Sequence, residues 1–382
     1  MNELNQIIRA EILDEGSIRF DRFMELALYH PSCGYYRGSP ERTRTGRAGD
    51  FYTSVSVGPL FGRLLAKQFF QMWQLLGSPE SFWIIEQGAN DGRLACDILE
   101  WCRKETPSFF EVVHYAIVEP SSAMRTIQQK HIEDAHFSEK VKWFQDADTP
   151  AKEHPVGVFF SNELVDAFPV RVITCRANQW LELHVAMEPD AETPFVWMER
   201  PIEDKELIEA IQLLPLPLIE GYTTELNLRA REWMKEVGHI LKRGYVLTVD
   251  YGFPASVYYA PFRVEGTLTA YLNHRRAEEV LIEPGTRDIT AHVDFTALAR
   301  AGEAAGLTTL GFIDQQRFLM GIAKDELNGT AGSQAHIEEN MRAWHTLTHP
   351  EFLGARFQVL IQSMDAPANL DGLQFARPGG LD

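Results

Sequence analysis

The sequence predicts an α/β protein built on a doubly wound, mostly parallel β-sheet. Three observations support this fold class. From residue 81 onward, short apolar runs alternate with helical patterns, the runs are apolar almost throughout, and glycines follow the first run. Near-continuous apolar runs are typical of strands that are buried on both faces, and the ligand of such a sheet lies outside the carboxyl ends of its strands.

The N-terminal part is predicted to be helical. Apolar residues recur at helical spacing over 3–15 and again over 18–29, and Ser17 is a candidate N-cap for the second helix. Pro31 ends that helix, and a polar, Gly-rich loop follows it. Residues 37–47 of this loop carry four Arg and one Glu, a local charge of +3. Such a run is typical of a solvated loop, and the alternative is a segment that contacts an anionic group.

The strands of the sheet are predicted from their apolar runs. They lie at 82–86, 112–119, 141–144, 156–163, 245–252, 307–313 and 355–364. Helices are predicted between them by apolar stripes of 3.6-residue period. They begin after Gly92, at 121–133, at 226–241 and within 292–306, and a hairpin is predicted at 171–185.

This pattern predicts one large domain with additions. The chain is divided into a helical N-terminal lid segment, a sheet domain and a flexible tail, at 1–80, 81–364 and 365–382. Insertions into the sheet domain are expected at about 175–225 and 253–290. The tail lacks any periodicity, as is common for mobile chain ends.

Composition limits the function. The 382 residues are 45% hydrophobic and 24% charged, so the chain can bury a core without disulfides. Fifty-four Asp and Glu face 36 Lys and Arg, a net charge of -18. This balance argues against nucleic-acid binding, which needs basic surface, and against a polybasic membrane-surface role. A cationic substrate stays compatible with it.

The cysteines and the N-terminus indicate a reducing compartment. Four cysteines are scattered without a C-x-x-C pair or zinc-ligand spacing, so no metal site is predicted. The first residues are acidic, unlike a secretory or mitochondrial leader. No apolar run approaches the roughly 18 residues of a membrane span. We therefore expect a cytoplasmic location and no membrane insertion.

The glycines after the first strand indicate a nucleoside-like ligand. The segment Glu86 to Gly92 has Gly88 and Gly92, but Asn90 stands where a dinucleotide fingerprint needs its second glycine. Flanking acids also disfavour a pyrophosphate. A nucleoside with a cationic group is therefore favoured over a nicotinamide dinucleotide, and a dinucleotide-dependent oxidoreductase is the alternative.

Acids follow the later strands as well. Glu119 could accept hydrogen bonds from ribose hydroxyls, and Asp146 could face an adenine edge or be a solvated loop acid. Further candidates lie after the fourth and fifth strands and beyond them, at Asn162, Glu163, Asp166, Asp250, Asp288 and Asp294. Asp294 could instead cap a helix, and His292 is interpreted as a structural or supporting residue.

Seven ordered segments resemble the MidA-type methyltransferases, which are S-adenosylmethionine-dependent enzymes with a Rossmann-like class I fold. The segments are LYHPSCGYYRG, GRAGDFYTSVSVGPLFGRLLA, IIEQGANDGRLACDIL, FFSNELVDAFPV, LTVDYG, GTLTAYLNHRR and PGTRDITAHVDFTAL. The resemblance runs from about residue 5 to 364. It departs from the family at residues 87 and 89–91, where E-L-G-P-G-x-G is common.

The resemblance implies S-adenosyl-L-methionine as cofactor and assigns site residues. The cofactor site would comprise Gly49, Asp50, Phe51, Tyr52 and Thr53 as a closing loop, Glu86, Gly88 and Gly92 at the methionine part, Glu119 at the ribose, Asp146 at the adenine side, and Asn162 beside the transferring methyl. The catalytic acids would be Glu163, Asp166, Asp250 and Asp288. Glu163 and Asp166 are expected to clamp the acceptor.

The family includes a mitochondrial assembly factor that methylates an arginine of a respiratory complex I subunit. The resemblance therefore implies a protein substrate with an accessible arginine, in complex I or elsewhere. A non-catalytic assembly or binding factor and a small-molecule methyltransferase are the alternatives. The sequence predicts no particular oligomeric state.

Overall fold

A computed structural model describes most of the chain. The residues it leaves undescribed are 1–2, 37–52, 148–149, 151, 153–154, 189–194, 216–217, 273–274, 278, 324–333, 378–379 and 382. The basic run at 37–47 and the predicted lid residues Gly49, Asp50, Phe51 and Tyr52 thus lie outside the described residues.

Helices and strands alternate through the described residues. The helices are α1 (Glu3–Glu15), α2 (Phe20–Tyr29), α3 (Leu60–Leu75), α4 (Arg93–Glu105), α5 (Pro107–Val112), α6 (Ser122–Asp134), α7 (Lys205–Gln212), α8 (Leu228–Gly238), α9 (Ala255–Tyr258), α10 (Phe295–Ala304), α11 (Gln315–Ile322) and α12 (Gln334–Thr348). The strands are β1 (Ile18–Arg19), β2 (Phe82–Gln87), β3 (Val113–Val118), β4 (Val141–Phe144), β5 (Val156–Asn162), β6 (Arg171–Arg176), β7 (Gln179–Met187), β8 (Phe195–Pro201), β9 (Thr223–Leu226), β10 (Arg243–Phe253), β11 (Thr269–Leu272), β12 (Arg275–Ala277), β13 (Asp288–Thr290), β14 (Val293–Asp294), β15 (Thr308–Asp314) and β16 (Phe357–Met364).

The central sheet confirms the predicted fold class. Its strand order is β15-β16-β10-β5-β2-β3-β4, and β14 pairs with the end of β10. Five neighbouring strands of this order, β10, β5, β2, β3 and β4, run parallel to one another. Strand β16 is antiparallel to both of its neighbours. After β2 the chain builds β3 and β4 on one side and then returns to build β5 on the other. The topological switch point therefore lies at the carboxyl ends of the neighbouring strands β2 and β5, where sheets of this kind bind ligands.

Helices cover both faces of this sheet. On one face, α3, α4, α11 and α12 contribute to a core that includes Phe69 and Phe160, whose ring centroids lie 5.2 Å apart. On the other face, α8 and α10 pack with Trp233 at the centre of a second core. Helix α3 lies within the predicted lid segment 1–80, and it packs on the central sheet. Part of that segment therefore belongs to the core of the sheet domain.

A second sheet and a small third one stand beside the central sheet. The second has the path β1-β7-β6-β9, with β8 added on β7, and the third has the order β12-β11-β13. Helices α1 and α2 share a third core with residues of both sheets, among them Val172, Val185 and Ile289. The predicted hairpin is confirmed as β6 and β7, which pair antiparallel.

Two local expectations are corrected. Ser17 does not cap α2, because Ile18 and Arg19 are taken up as a strand that pairs with β7, and Arg19 occupies the N-cap position without a side-chain hydrogen bond. The helix predicted at 226–241 ends earlier, at Gly238.

The expected flexible tail is packed against the sheet domain over much of its described part. Leu370 is buried, and the amide of Gly372 donates a hydrogen bond of 2.9 Å to the side-chain oxygen of Gln68 on α3. The Tyr245 hydroxyl donates to the Pro367 carbonyl at 2.9 Å. Lack of periodicity therefore reflects irregular structure here, because irregular segments can be fixed by hydrogen bonds to side chains.

Candidate active site

The loop after β2 turns through three left-handed residues. Gly88, Asn90 and Gly92 have φ values of +85°, +44° and +83°. Left-handed backbone is natural for glycine and tolerated by asparagine, so the loop can turn tightly at the N-terminus of α4 without strain at its glycines. The indole of Trp233 donates to the Gln87 side-chain oxygen at 2.9 Å and fixes the start of the loop.

Glu86 lies inside the domain at the end of β2. It is 2% exposed, and the Tyr115 hydroxyl donates to its Oε2 at 2.6 Å. Burial raises the pKa of this carboxyl to about 7. One carboxylate oxygen is therefore engaged with β3, which makes Glu86 a support of the loop as well as the candidate methionine contact.

Glu119 follows β3 and is held by two donors. The Ser121 amide donates to Oε1 at 2.8 Å, and the Gln128 amide nitrogen donates to Oε2 at 3.2 Å. Gln128 is fully buried and also donates to the Asn90 carbonyl at 2.8 Å. Gln128 thus ties the candidate ribose acid to the glycine loop. This role of Gln128 was not predictable from the sequence, since a polar residue within a helix is usually on its surface.

Gly88 connects the glycine loop to the segment after β5. A Cβ at this position would lie 3.2 Å from the side chain of Leu164. We expect Gly88→Ala to weaken S-adenosylmethionine binding by about tenfold, because a non-glycine residue in this strained region costs on the order of 1–3 kcal/mol. Isothermal titration would measure it, with Gly77→Ala, also left-handed but with open space around it, as the control. Equal losses in both variants would mean that general strain, not the ligand loop, is responsible.

Four carboxylates meet near the carboxyl ends of β5 and β10, and we call them the acidic cluster: Glu163, Asp166, Asp250 and Asp288. Asp250 is fully buried, and Asp166 and Asp288 are 8% and 4% exposed. The pKa of Asp166 is raised well above its ordinary value by burial and by the other three carboxylates. Since Leu164 lies against Gly88, the acidic cluster adjoins the glycine loop at the switch point.

Asp250 is the organiser of the cluster. Its Oδ2 accepts hydrogen bonds from the amides of Leu164, Val165 and Asp166 at 3.2, 2.8 and 3.3 Å. Its Oδ1 accepts from the Tyr251 amide at 2.8 Å. Burial nevertheless raises its pKa to about 7. Because both oxygens are occupied by backbone amides, Asp250 is a positioning residue, which corrects the expectation that it acts as a catalytic acid.

Asn162 and Glu163 form the edge of the cluster nearest to β5. The Asn162 side-chain nitrogen donates to Glu163 Oε1 at 3.0 Å, while Asn162 Oδ1 is buried without a hydrogen-bond partner among the described residues. The Ser54 amide also stabilises the ionised Glu163. Burial still raises the pKa of Glu163 to about 8. Glu163 has a φ of +53°, so its backbone is held in a conformation that non-glycine residues rarely adopt.

Asp288 reaches the cluster from the third sheet and is held by the N-terminal segment. The Tyr36 hydroxyl donates to both of its oxygens, at 2.8 and 2.9 Å. The ring of Tyr36 stacks on Tyr29 at a centroid distance of 5.6 Å. Tyr36 was not among the predicted site residues. The tyrosine pair in GYY was the available signal, but aromatic residues in a loop are more often core than site.

The remaining predicted residues lie at the margin. Asp146 is exposed after β4, and Thr53 lies in a turn before the short helix Val55–Val57. Asp294 caps α10 by accepting from the Ala297 amide at 3.0 Å, which confirms the helix-cap alternative for this residue. His292 stacks beside Tyr251 in a supporting position, as predicted, and burial lowers its pKa to about 4.

The arrangement is suited to two ligands side by side. The glycine loop leaves main chain accessible next to Glu119, which fits the amino-acid and ribose parts of S-adenosylmethionine. The acidic cluster fits a cation. Within the described part of the chain, no three of its side chains are placed to hold a metal ion. An extended organic cation is the better match for carboxylates spread over the ends of two strands.

Comparison with known proteins agrees with this geometry. Residues 64–313 match the model of a family described as "Putative S-adenosyl-L-methionine-dependent methyltransferase". A COG1565 superfamily protein from Burkholderia thailandensis, crystallised with S-adenosyl-homocysteine, is 32% identical and has a TM-score of 0.88, with 98% of this chain and 95% of that chain covered.

Curated relatives are more distant. The protein arginine methyltransferase NDUFAF7 homolog of Drosophila melanogaster is 27% identical over 92% of this chain and 83% of that protein. The human protein arginine methyltransferase NDUFAF7 is 24% identical over 91% of this chain and 80% of that protein. Matched over most of its length and built on the same fold, the chain belongs to this family of S-adenosylmethionine-dependent methyltransferases.

Proposed function

We propose that the protein methylates an arginine side chain of another protein. The acidic cluster is the observation that carries this proposal, because four carboxylates next to the cofactor loop suit a cationic acceptor. The names of the curated relatives, which are protein arginine methyltransferases, support the same acceptor. A complex I subunit is one candidate substrate, as the resemblance to the MidA-type methyltransferases implies.

The acidic cluster would orient the acceptor. A guanidinium cannot lose its proton in advance, since its pKa exceeds about 12. Carboxylates that bind its N–H groups hold its plane and draw the positive charge toward themselves. The nitrogen that faces the glycine loop then keeps more electron density. We assign this role to Glu163, with Asp166 beside it and with Asp288, whose carboxylate accepts from Tyr36, in support.

Glu163 also meets the requirement for a proton acceptor. S-adenosylmethionine, when bound, supplies an electrophilic methyl group on a sulfonium. A methylated guanidinium nitrogen must give up one proton, and a carboxyl whose pKa lies near the working pH accepts it best. With its pKa raised to about 8, Glu163 is matched to that task. Approximation of the two reactants can supply about 7–11 kcal/mol of the barrier.

Radiolabelled methyl transfer would test this function. The purified protein and labelled S-adenosylmethionine are added to a lysate of cells that lack the protein, and the labelled band is identified by mass spectrometry. Label on an arginine is expected. Cofactor binding without transfer would indicate a non-catalytic assembly factor instead. Label confined to small molecules would indicate a small-molecule methyltransferase.

The raised pKa values predict how activity depends on pH. A cationic acceptor binds to ionised carboxylates, so kcat/KM is expected to rise with pH through about 7 to 8, where Asp250 and Glu163 ionise. Below that range acceptor binding should release protons, which calorimetry in buffers of different ionisation enthalpy would measure. An activity that is flat from pH 6 to 9 would contradict this.

The stability of the unliganded protein should change with pH in the opposite direction to its activity, falling as the pH rises. The folded-state pKa of Glu163 is about 8 and its ordinary value is 4.5, so the folded state holds the proton more tightly than the unfolded chain. Its contribution to stability is therefore fully present below 4.5 and is lost as the pH rises through about 8. Glu163→Gln is expected to remove that part of the pH dependence of the unfolding free energy.

The location of the protein stays a prediction. In the part of the chain that the structure describes, no helix combines the length and apolarity needed to cross a membrane. We propose the cytoplasm, as expected from the sequence, and fractionation of cells that express the untagged protein would test it.

A further inference from the structure

A groove separates α7 from α8 and α10, outside the acidic cluster. It has a volume of about 210 Å³. Its apolar lining comprises Ala210, Leu213, Leu214, Ala297 and Ala301. Leu213 is 63% exposed at the rim. At about 30 Å³ per water molecule the space equals roughly seven waters, enough for one or two large side chains of a ligand.

The groove is basic although the protein is acidic. Arg231, Lys235 and Arg300 line it, and Asp294 is the one acid in its lining. Asp294 is already used as the cap of α10. The Arg231 Nε is buried and has no hydrogen-bond acceptor among the described residues. On a chain with a net charge of -18, three cations around an apolar floor are a local reversal of charge.

Arg231 differs from the other cations of the groove, because Lys235 and Arg300 are exposed whereas Arg231 is partly buried. Arg231 also borders a smaller hollow that continues the groove between α8 and α10, toward Asn227 and Val293. By contrast, Arg229 on the same helix pairs with Glu236 at 2.9 Å. A buried guanidinium N–H without an acceptor is unfavourable by on the order of 1–3 kcal/mol, and a carboxylate on a ligand would relieve it.

The groove begins close to the active site. Asp250 precedes Phe253 by three positions on β10, and Phe253 pairs with Asp294 of the groove in parallel register. At about 3.3 Å per residue, the two sites are roughly 10 Å apart along the strand. An extended peptide would cover this distance, with allowance for its path, in about three to five residues.

We propose that this groove binds an acidic, apolar segment of the protein substrate, about three to five residues from the methylated arginine. This inference rests on the proposed function for the identity of the ligand as a substrate. The apolar side chains would fill the floor, and the acids would pair with Arg231, Lys235 and Arg300. The arginine and its flanking acids would then be recognised by two sites of opposite charge, which excludes uniformly basic proteins as substrates.

Direct binding tests the groove without any reference to catalysis. Fluorescence anisotropy would compare two short fluorescein-labelled peptides, one that mixes leucine with glutamate and one that mixes leucine with lysine. The glutamate peptide is expected to bind the full-length protein, and salt should weaken it. Arg231→Gln and Arg300→Glu should each weaken it by about fivefold, the upper end of what a charge pair near the surface contributes. Equal binding of both peptides would overturn the inference.

A matched variant and a lipid arm complete the experiment. Arg229→Gln removes the same charge from the same helix outside the groove, so it should leave peptide affinity unchanged. Unchanged affinity for S-adenosylmethionine would show that each variant is folded. Displacement of the peptide by phosphatidylglycerol vesicles would assign the groove to lipid and also overturn the inference.

Catalysis provides the second arm. Peptides that carry an arginine at the stated spacing from the glutamate segment should have a KM that rises about fivefold in Arg300→Glu with kcat unchanged. If arginine peptides with a glutamate segment and with a lysine segment are both methylated, and the KM does not respond to Arg300→Glu, the inference about the groove is contradicted. The proposed function would still hold in that case. Absence of any methylation with peptide binding intact would contradict the proposed function alone.

Discussion

Glu163→Gln should lower the rate of methyl transfer by about a thousandfold and change the affinity for S-adenosylmethionine by less than about threefold. The substitution keeps the shape of the side chain but removes both the charge that attracts a guanidinium and the base that accepts its proton. Losing a buried charge partner and an acid–base group together is worth on the order of 4 kcal/mol, or three powers of ten in rate. Single-turnover assays with labelled cofactor would measure the rate.

Cofactor affinity should survive because Glu163 belongs to the far side of the site. Its side chain accepts from Asn162 and the Ser54 amide, and the atoms nearest to a Cβ at Gly88 belong to the neighbouring Leu164. Glu232→Gln, an exposed acid on α8, provides the control and should behave like the wild type. An unchanged single-turnover rate in Glu163→Gln would sink its assignment as clamp and base.

The second large effect is expected on stability. Asp250→Asn replaces an oxygen by an N–H₂ group in a place where every neighbouring backbone group is a donor. Either one or three amide N–H groups then lose their acceptor and face another donor. Buried hydrogen bonds to a charged group contribute about 1.5–3 kcal/mol each, so we expect a loss of at least about 1.5 kcal/mol in unfolding free energy. Urea denaturation followed by circular dichroism would measure it.

Thr248→Val on the same strand is the matched control. Thr248 is 1% exposed, and its hydroxyl is buried without a partner among the described residues. Valine has almost the same shape, so this variant should be neutral or more stable by up to about 1 kcal/mol. If both variants lost stability alike, disturbance of β10 in general would explain the result better than the amides of the 164–166 segment.

The mostly parallel sheet and the positions of its strands were predictable because buried parallel strands have a distinctive apolar pattern. Glu86, Glu119, Asn162 and Glu163 were found by one rule, that functional groups follow the carboxyl ends of strands. The same rule also selected Asp146 and Asp294. Asp146 is exposed, and Asp294 caps a helix. A position after a strand fixes where a side chain begins, but not what its oxygens bind.

Tyr36, Gln128 and the groove could not be predicted for a different reason. Tyr36 reaches Asp288 across 252 positions of sequence, and Gln128 joins Asn90 across 38. Such contacts depend on how separate segments pack, and a local pattern contains no information about that. The groove likewise forms only where α7, α8 and α10 pack together, so its basic residues cannot be recognised as one site from the sequence.

The pairing of β1 with β7 has a consequence for synthesis of the protein on the ribosome. Ser17 at the start of this contact is 167 positions away from its partner His184. At about 5–20 residues per second, α1 and α2 wait roughly 8–30 seconds for the strand they pack against. Leu4, Ile8 and Phe23, fully buried at the end, are unprotected during that interval. Chaperone engagement during translation should therefore be strongest before β7 emerges, which ribosome profiling of chaperone-bound nascent chains would detect.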